Sequence, residues 1–230
     1  MLEPETIKEI EQSSLLSALV QMSELYPTGI VFSSSLGQED QVLTDAIFKN
    51  HLPIEVFTLD TGRLFYEHYE LLAQNKAKYK IDTKLYFPDA NEVEKYVKEK
   101  GINGFYQSVE NRKLCCEIRK VRPLNRALEG AKVWITGLRA EQSDNREHMP
   151  MIEWDAHRNL YKFNPLIHWS YQEVLDYIEQ HKVQELPLHK KGFISVGCKP
   201  CTRAIEPGEN PRAGRWWWED SHKECGLHSN

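Results

Sequence analysis

The chain has 230 residues, enough for one substantial domain with its own hydrophobic core. Apolar residues make up 40% and charged ones 27%, ordinary for a globular protein, and the net charge of −5 argues against a general nucleic-acid binder. No apolar run approaches the ~20 residues that span a bilayer, and the acidic start MLEPETIKEIEQ lacks a signal-peptide layout, so a cytoplasmic chain without a membrane span is expected.

Residues 1–28 read as a helical segment, with Ile7, Ile10, Leu15, Leu16, Leu19 and Leu25 at helix-compatible intervals. The period then changes. GIVFSSS (29–35) reads as a buried strand followed by the helix EDQVLTDAIFKNH. IEVFTLD (54–60) is a second strand feeding the helix RLFYEHYELLAQNKAKY, and DTKLYFP (82–88) is a third. Asp89 with Glu92 offers a cap and its reciprocal partner before VEKYVKEK. A further helix is predicted through CCEIRKVRPLNRALEG, bent or started near Pro123, and AKVWITGL (131–138) is the next strand. MPMIEW and NLYKFN look like a small hairpin across DAHR. SYQEVLDYIEQHK opens with a capping box, Ser170 to Glu173. Residues 186–230, rich in Gly, Pro, Trp and charge, read as an irregular tail. There is no internal repeat and no low-complexity linker.

Strands alternating with helices predict an α/β fold: a doubly wound, mostly parallel sheet over 29–185 with helices on both faces. In such a sheet, ligands bind outside the carboxyl ends of the strands. Three loops therefore stand out: SSSLGQED, LDTGR and GLRAEQSDNRE. The first combines small hydroxyl residues with a glycine at a helix start, a ready anion site, though it lacks the lysine of a GxxxxGK[ST] loop. By itself it is better explained as a capped strand-to-helix turn. A second turn, LDTG, at the matching sheet edge leaves a crevice suited to adenosine. Arg139 and Arg146 flank a polar loop that either closes over an anion or is simply a solvated charged face. RKVR (119–122), Arg212 and Arg215 add further cations near the cysteines.

Five cysteines form two tight pairs, Cys115-Cys116 and Cys198-Cys201, and one odd thiol, Cys225. Two pairs separated by a long insertion are the usual layout of a four-thiolate metal site. Adjacent Cys115 and Cys116 suit different irons of a [4Fe–4S] cluster better than two corners of one zinc ion, and structural zinc remains the rival. Cys225 sits in ECGLH (224–228), between Glu224 and Gly226 with His228 three residues on, where an imidazolium would favour the thiolate.

CC…CxxC with ECGLH, together with SSSLGQED, LDTG and GLRAEQS in that order, closely resembles the assimilatory adenylylsulfate reductases of bacteria and plastids, within the larger phosphoadenylylsulfate reductase family. The resemblance runs from about Gly29 to His228 and implies an adenine nucleotide alpha hydrolase-like fold. It implies one [4Fe–4S] cluster on Cys115, Cys116, Cys198 and Cys201, and Cys225 as the nucleophile toward adenosine 5′-phosphosulfate, with thioredoxin or glutaredoxin as reductant. Ser33, Ser34, Ser35 and Gly37 would lie near the nucleotide, and Leu59, Asp60, Thr61 and Gly62 at the adenosine. Arg139 would sit on the closing loop, Lys120 between cluster and substrate, and Arg212 and Arg215 at the phosphosulfate. His228 would activate Cys225, bind the ligand or cap the tail. A homo-oligomer is expected because family members associate. The first loop departs from the Ser-Gly-Ala-Glu-Asp of many cluster enzymes, and WWW (216–218) is more aromatic than the pattern. The 3′-phosphorylated nucleotide is the alternative substrate, alone or alongside adenylylsulfate. A tRNA sulfur-transfer enzyme would need an SGGxDS-type loop, which this chain lacks. A non-enzymatic metal sensor leaves Cys225 unexplained.

Overall fold

The computed structural model describes residues 2–142, 146 and 148–219. The chain divides into two compact units. The first holds the described residues up to Phe57, Leu71–Lys84 and Gly130–Glu185. The second holds Thr58–Glu70, Leu85–Glu129 and the described residues from Leu186 on. Residues 29–185 are thus shared between both.

The N-terminal segment is two helices rather than one, α1 (Pro4–Glu11) and α2 (Leu15–Leu25). The break falls at two serines: Ser13 Oγ donates back to Glu9 O, and Ser14 caps α2 by accepting from Ser17 N. Hydroxyls that bond the local backbone compete with helix continuation, which explains the interruption.

Six strands follow as one sheet in the order β3-β2-β1-β4-β6-β5: β1 (Ile30–Ser33), β2 (Glu55–Leu59), β3 (Lys84–Tyr86), β4 (Val133–Ile135), β5 (Ile152–Asp155) and β6 (Leu160–Phe163). β1 runs parallel to β2 and β4, and β4 parallel to β6; only the β5–β6 pairing is antiparallel among those registered. The strand order reverses between β1 and β4. In a doubly wound sheet successive crossovers there go to opposite faces, leaving a crevice at the strands' carboxyl ends. The predicted small hairpin is therefore not separate: β6 docks in parallel on β4 and carries β5 with it. Leu160–Phe163 is buried throughout, as a strand covered on both faces must be.

Between the strands lie α3 (Gln38–Lys49), α4 (Tyr66–Tyr79), α5 (Ala90–Lys100), α6 (Val109–Cys116), α7 (Arg122–Ala127) and α8 (Tyr171–His181). The Ser170–Glu173 capping box of α8 is formed in both directions. Asp89 caps α5, but Glu92 pairs with Arg122 instead of returning to the cap. The helix expected to begin at the cysteines begins at Val109, capped by Ser108, and Glu117–Val121 is a wide π turn leading into α7. Pro123 supplies the reason. It has no N–H and its ring would crowd the carbonyl four residues earlier, so the helix widens ahead of it. No described helix is long and apolar enough to cross a membrane.

The contiguous hydrophobic core, including Ile30, Phe32, Val42, Leu43, Val133, Ile135, Phe163 and Val174, is drawn entirely from the first unit.

Candidate functional site

In the first unit, the carboxyl ends of β1 and β4 meet at the switch point. Leu36 is buried with φ +65°, a left-handed turn that a non-glycine residue holds only under local constraint. Three serines supply part of it. Ser33 Oγ accepts from Trp134 Nε1 at 2.8 Å, Ser34 Oγ accepts from Leu36 N at 3.2 Å, and Ser35 donates through N (2.5 Å) and Oγ (2.6 Å) to Asp40 Oδ2. Gly37, the residue before α3, gives no side-chain cap, which suits a helix N-terminus to an anion. Asp40 is buried, and burial pushes its carboxyl up to about 7 despite the two Ser35 hydrogen bonds that oppose the shift. Its other oxygen faces Gly137 on the loop after β4, where a Cβ would stand 2.0 Å from Asp40 Oδ1. Only glycine fits there.

Arg139, expected on a closing loop, is 5% exposed, and two carboxylates hold it: Nε donates to Glu39 at 2.9 Å and Nη1 to Glu141 at 2.8 Å. Arg146 is buried too and donates to Gln142 Oε1 at 2.5 Å. These guanidinium groups are tied down by their neighbours, not solvated.

In the second unit, the LDTG turn is built from its own side chains. Gly62 N donates to Asp60 Oδ1 at 2.8 Å, Tyr69 Oη donates to the same oxygen, and Gly62 has φ +69°. Thr61 Oγ1 lies 3.2 Å from Cys198 Sγ, and Arg119 Nη1 donates to Thr61 O at 2.7 Å. Lys199 N donates to Arg63 O at 2.8 Å. The turn read as an adenosine contact is therefore also the support of the CxxC segment. Leu59 sits half-buried at its start.

None of the four described cysteines is in a disulfide. Burial raises the Cys115 thiol, and Arg119, which hydrogen-bonds it, opposes that shift. Burial pushes Cys201 up to about 12, Cys198 adds to the shift, Lys120 opposes it, and Cys115 and Arg215 bear on it in turn. Cys116 hydrogen-bonds Arg112. Among the described residues no three His, Cys, Asp or Glu side chains converge on a site for a single ion. Arg215 is 8% exposed with its Nε unpaired, and its guanidinium fills the space a Cβ on Gly197 would need. Arg212 is half-buried in the turn before it, where its carbonyl accepts from Arg215 N. Cys225 and His228 lie outside the described residues.

The chain carries a doubly wound α/β sheet with its loops at the switch point, the architecture of a nucleotide-binding protein, and two cysteine pairs among cations. The profile of the phosphoadenosine phosphosulfate reductase domain matches residues 29–204. The chain is 50% identical over 199 residues to "Adenosine 5'-phosphosulfate reductase" of Agrobacterium fabrum, covering 86% of this chain and 76% of that one. It is 45% identical over 228 residues to the protein of the same name from Burkholderia cepacia, covering 99% and 90%. The crystal structure of phosphoadenylyl-sulfate reductase from Candida auris superposes with a TM-score of 0.73 at 24% identity, covering 87% of this chain and 97% of that one, which shows the shared fold. The chain belongs to the phosphoadenosine phosphosulfate reductase family and is an oxidoreductase.

Reading the sequence missed Asp40 as the anchor of the serine loop, Arg112, and Thr61 as a neighbour of Cys198. Arg112 had one signal in the sequence: it precedes Cys116 by four residues, one turn of helix.

Proposed function

We propose that this protein reduces adenosine 5′-phosphosulfate to sulfite and AMP, with Cys225 as nucleophile. The observation that carries the substrate is the 50% identity with a chain of that name over most of both lengths. The Cys225 thiolate attacks the sulfate sulfur. An S–S bond forms, the S–O bond to the phosphate breaks, and AMP leaves with that electron pair. A dithiol protein of the thioredoxin or glutaredoxin kind then attacks Cys225 Sγ and releases sulfite, and its second thiol restores Cys225 and leaves the partner oxidised. Within the described chain, Lys120, Arg212 and Arg215 supply the positive charge that lets a thiolate approach an anionic ligand. The uncapped α3 N-terminus beside the serine loop is suited to a nucleotide phosphate.

Cys115, Cys116, Cys198 and Cys201 would hold a [4Fe–4S] cluster. The donor set fits: four cysteines outside any disulfide, with Thr61, Arg112 and Arg119 giving the hydrogen bonds that orient and tune thiolate ligands. One zinc ion needs its sulfurs within roughly 4 Å of one another. The adjacency of Cys115 and Cys116 suits two irons of a cluster better than two corners of one zinc ion. A bound cluster supplies local charge and holds the two pairs together.

Intact-mass spectrometry of anaerobically purified protein with adenosine 5′-phosphosulfate and no reductant tests the reading. A gain of one SO₃, absent in Cys225→Ser, is the expected result. An adduct only with the 3′-phosphorylated nucleotide would keep the mechanism and change the substrate. No adduct with either would overturn the reductase reading.

A further inference from the structure

Arg112 lies one turn before Cys116 on α6, on the same face. It is 2% exposed, and its Nε donates to Glu219 Oε1 at 2.7 Å, itself 5% exposed. The same guanidinium hydrogen-bonds Cys116 and lies over the Trp216 ring, 4.4 Å from the centroid. The Arg215 guanidinium lies over that ring as well, at 4.7 Å. Trp216 is buried, has φ +43°, and donates its backbone N–H to Cys201 O at 3.2 Å.

The Arg215 backbone is bridged to Thr202 and its guanidinium packs on Gly197, but its polar side-chain contacts are weak. Its Nη1 contacts to Ser195 Oγ and Val196 O are long, at 3.5 and 3.4 Å, and its Nε is buried and unpaired. The Trp216 ring therefore covers one face of the Arg215 guanidinium while Gly197 packs beside it, and the Arg112 guanidinium covers the same ring. Two guanidinium groups sharing one indole would repel, and the Glu219 carboxylate offsets one of them. A planar five-donor fork can meet a carboxylate, a thiol and a ring face at once, which an ammonium cannot.

We infer that the Arg112–Glu219 pair is a clamp that fixes the Trp216 ring and, through it, the Arg215 guanidinium at the sulfate end of the nucleotide. Arg112 is thus a positioning residue. What Arg215 binds rests on the proposed function; the clamp does not.

The test uses Arg112→Lys and the isosteric, milder Glu219→Gln in cluster-loaded protein of matched iron content. Amide hydrogen exchange across residues 212–219 should quicken in both while α5 stays unchanged. In a Cys225→Ser background, where no chemistry follows binding, adenosine 5′-phosphosulfate should bind about tenfold more weakly while AMP, which lacks the sulfate, stays within about twofold. Adding Arg112→Lys to Arg215→Lys should cost nothing further, because one acts through the other. Unchanged exchange over 212–219 overturns the clamp whatever the ligand. Equal losses for both nucleotides, or additive effects with Arg215→Lys, overturn the positioning role. A parent protein that binds neither nucleotide, yet shows the exchange change, supports the clamp and overturns the proposed substrate instead.

Discussion

Asp40 carries the sharpest residue-scale consequence. Its folded value of about 7 lies above the ordinary 3.8, so the fold favours the protonated acid. The stability it contributes is full below about pH 4 and is lost as pH rises through 7, by about 4 kcal/mol for roughly three units. Asp40→Asn keeps an acceptor for Ser35 N and removes the titration. Urea denaturation should show the variant gaining on the parent between about pH 5 and about pH 8; an equal difference at both would refute the burial account. Gly137→Ala places a methyl 2.0 Å from Asp40 Oδ1 and should cost about 1–3 kcal/mol, read as a lower Tm. The SSSLGQED motif is visible in the sequence as a capped turn with a candidate anion site, but which hydroxyls turn inward is not. Burial and the return of Asp40 one helical turn later turn Ser35 inward, and no local pattern encodes that.

At the scale of elements, most starts and stops were legible because caps are local chemistry. Ser170→Ala removes the hydroxyl half of the α8 box, leaving Ser170 N to donate to Glu173, and should cost about 1 kcal/mol, a fall of about 2–4 °C in Tm for a chain of this size. A thermal melt that does not move would mean that packing of Val174 and Ile178 alone sets the helix. The cysteine helix was less legible. Its true start at Ser108 is an ordinary cap, overlooked because the apolar period is weak there. The π turn of Glu117–Val121 is a compromise between helix continuation and Pro123. It carries Arg119 and Lys120, whose charges bear on Cys115 and Cys201.

Across the whole molecule, the two units differ in what can hold them together. The contiguous apolar core lies in the first, whereas the second carries all four described cysteines and a buried ion pair, Arg112–Glu219. The buried apolar residues of the second unit, such as Phe105, Leu124 and Leu186, lie outside that core, and a metal group bound there would add to their hold. If the second unit holds the proposed cluster, chelation of iron should speed amide exchange there, at residues 104–129 and 192–219, while β1, β4 and β6 keep their protection. Uniform loss of protection would show that the core of the first unit also depends on the group. By itself the sequence determined the fold class, the order of nearly all strands and helices, and the chemistry available in its cysteines and arginines, because periodicity, caps and residue types are local properties. Only the tertiary structure decided that β6 extends the sheet beside β4, that Arg139 is held between Glu39 and Glu141, and that Arg112 joins Cys116, Glu219 and Trp216. Those are contacts between residues up to about a hundred positions apart, settled by burial and charge pairing that no short stretch of chain contains.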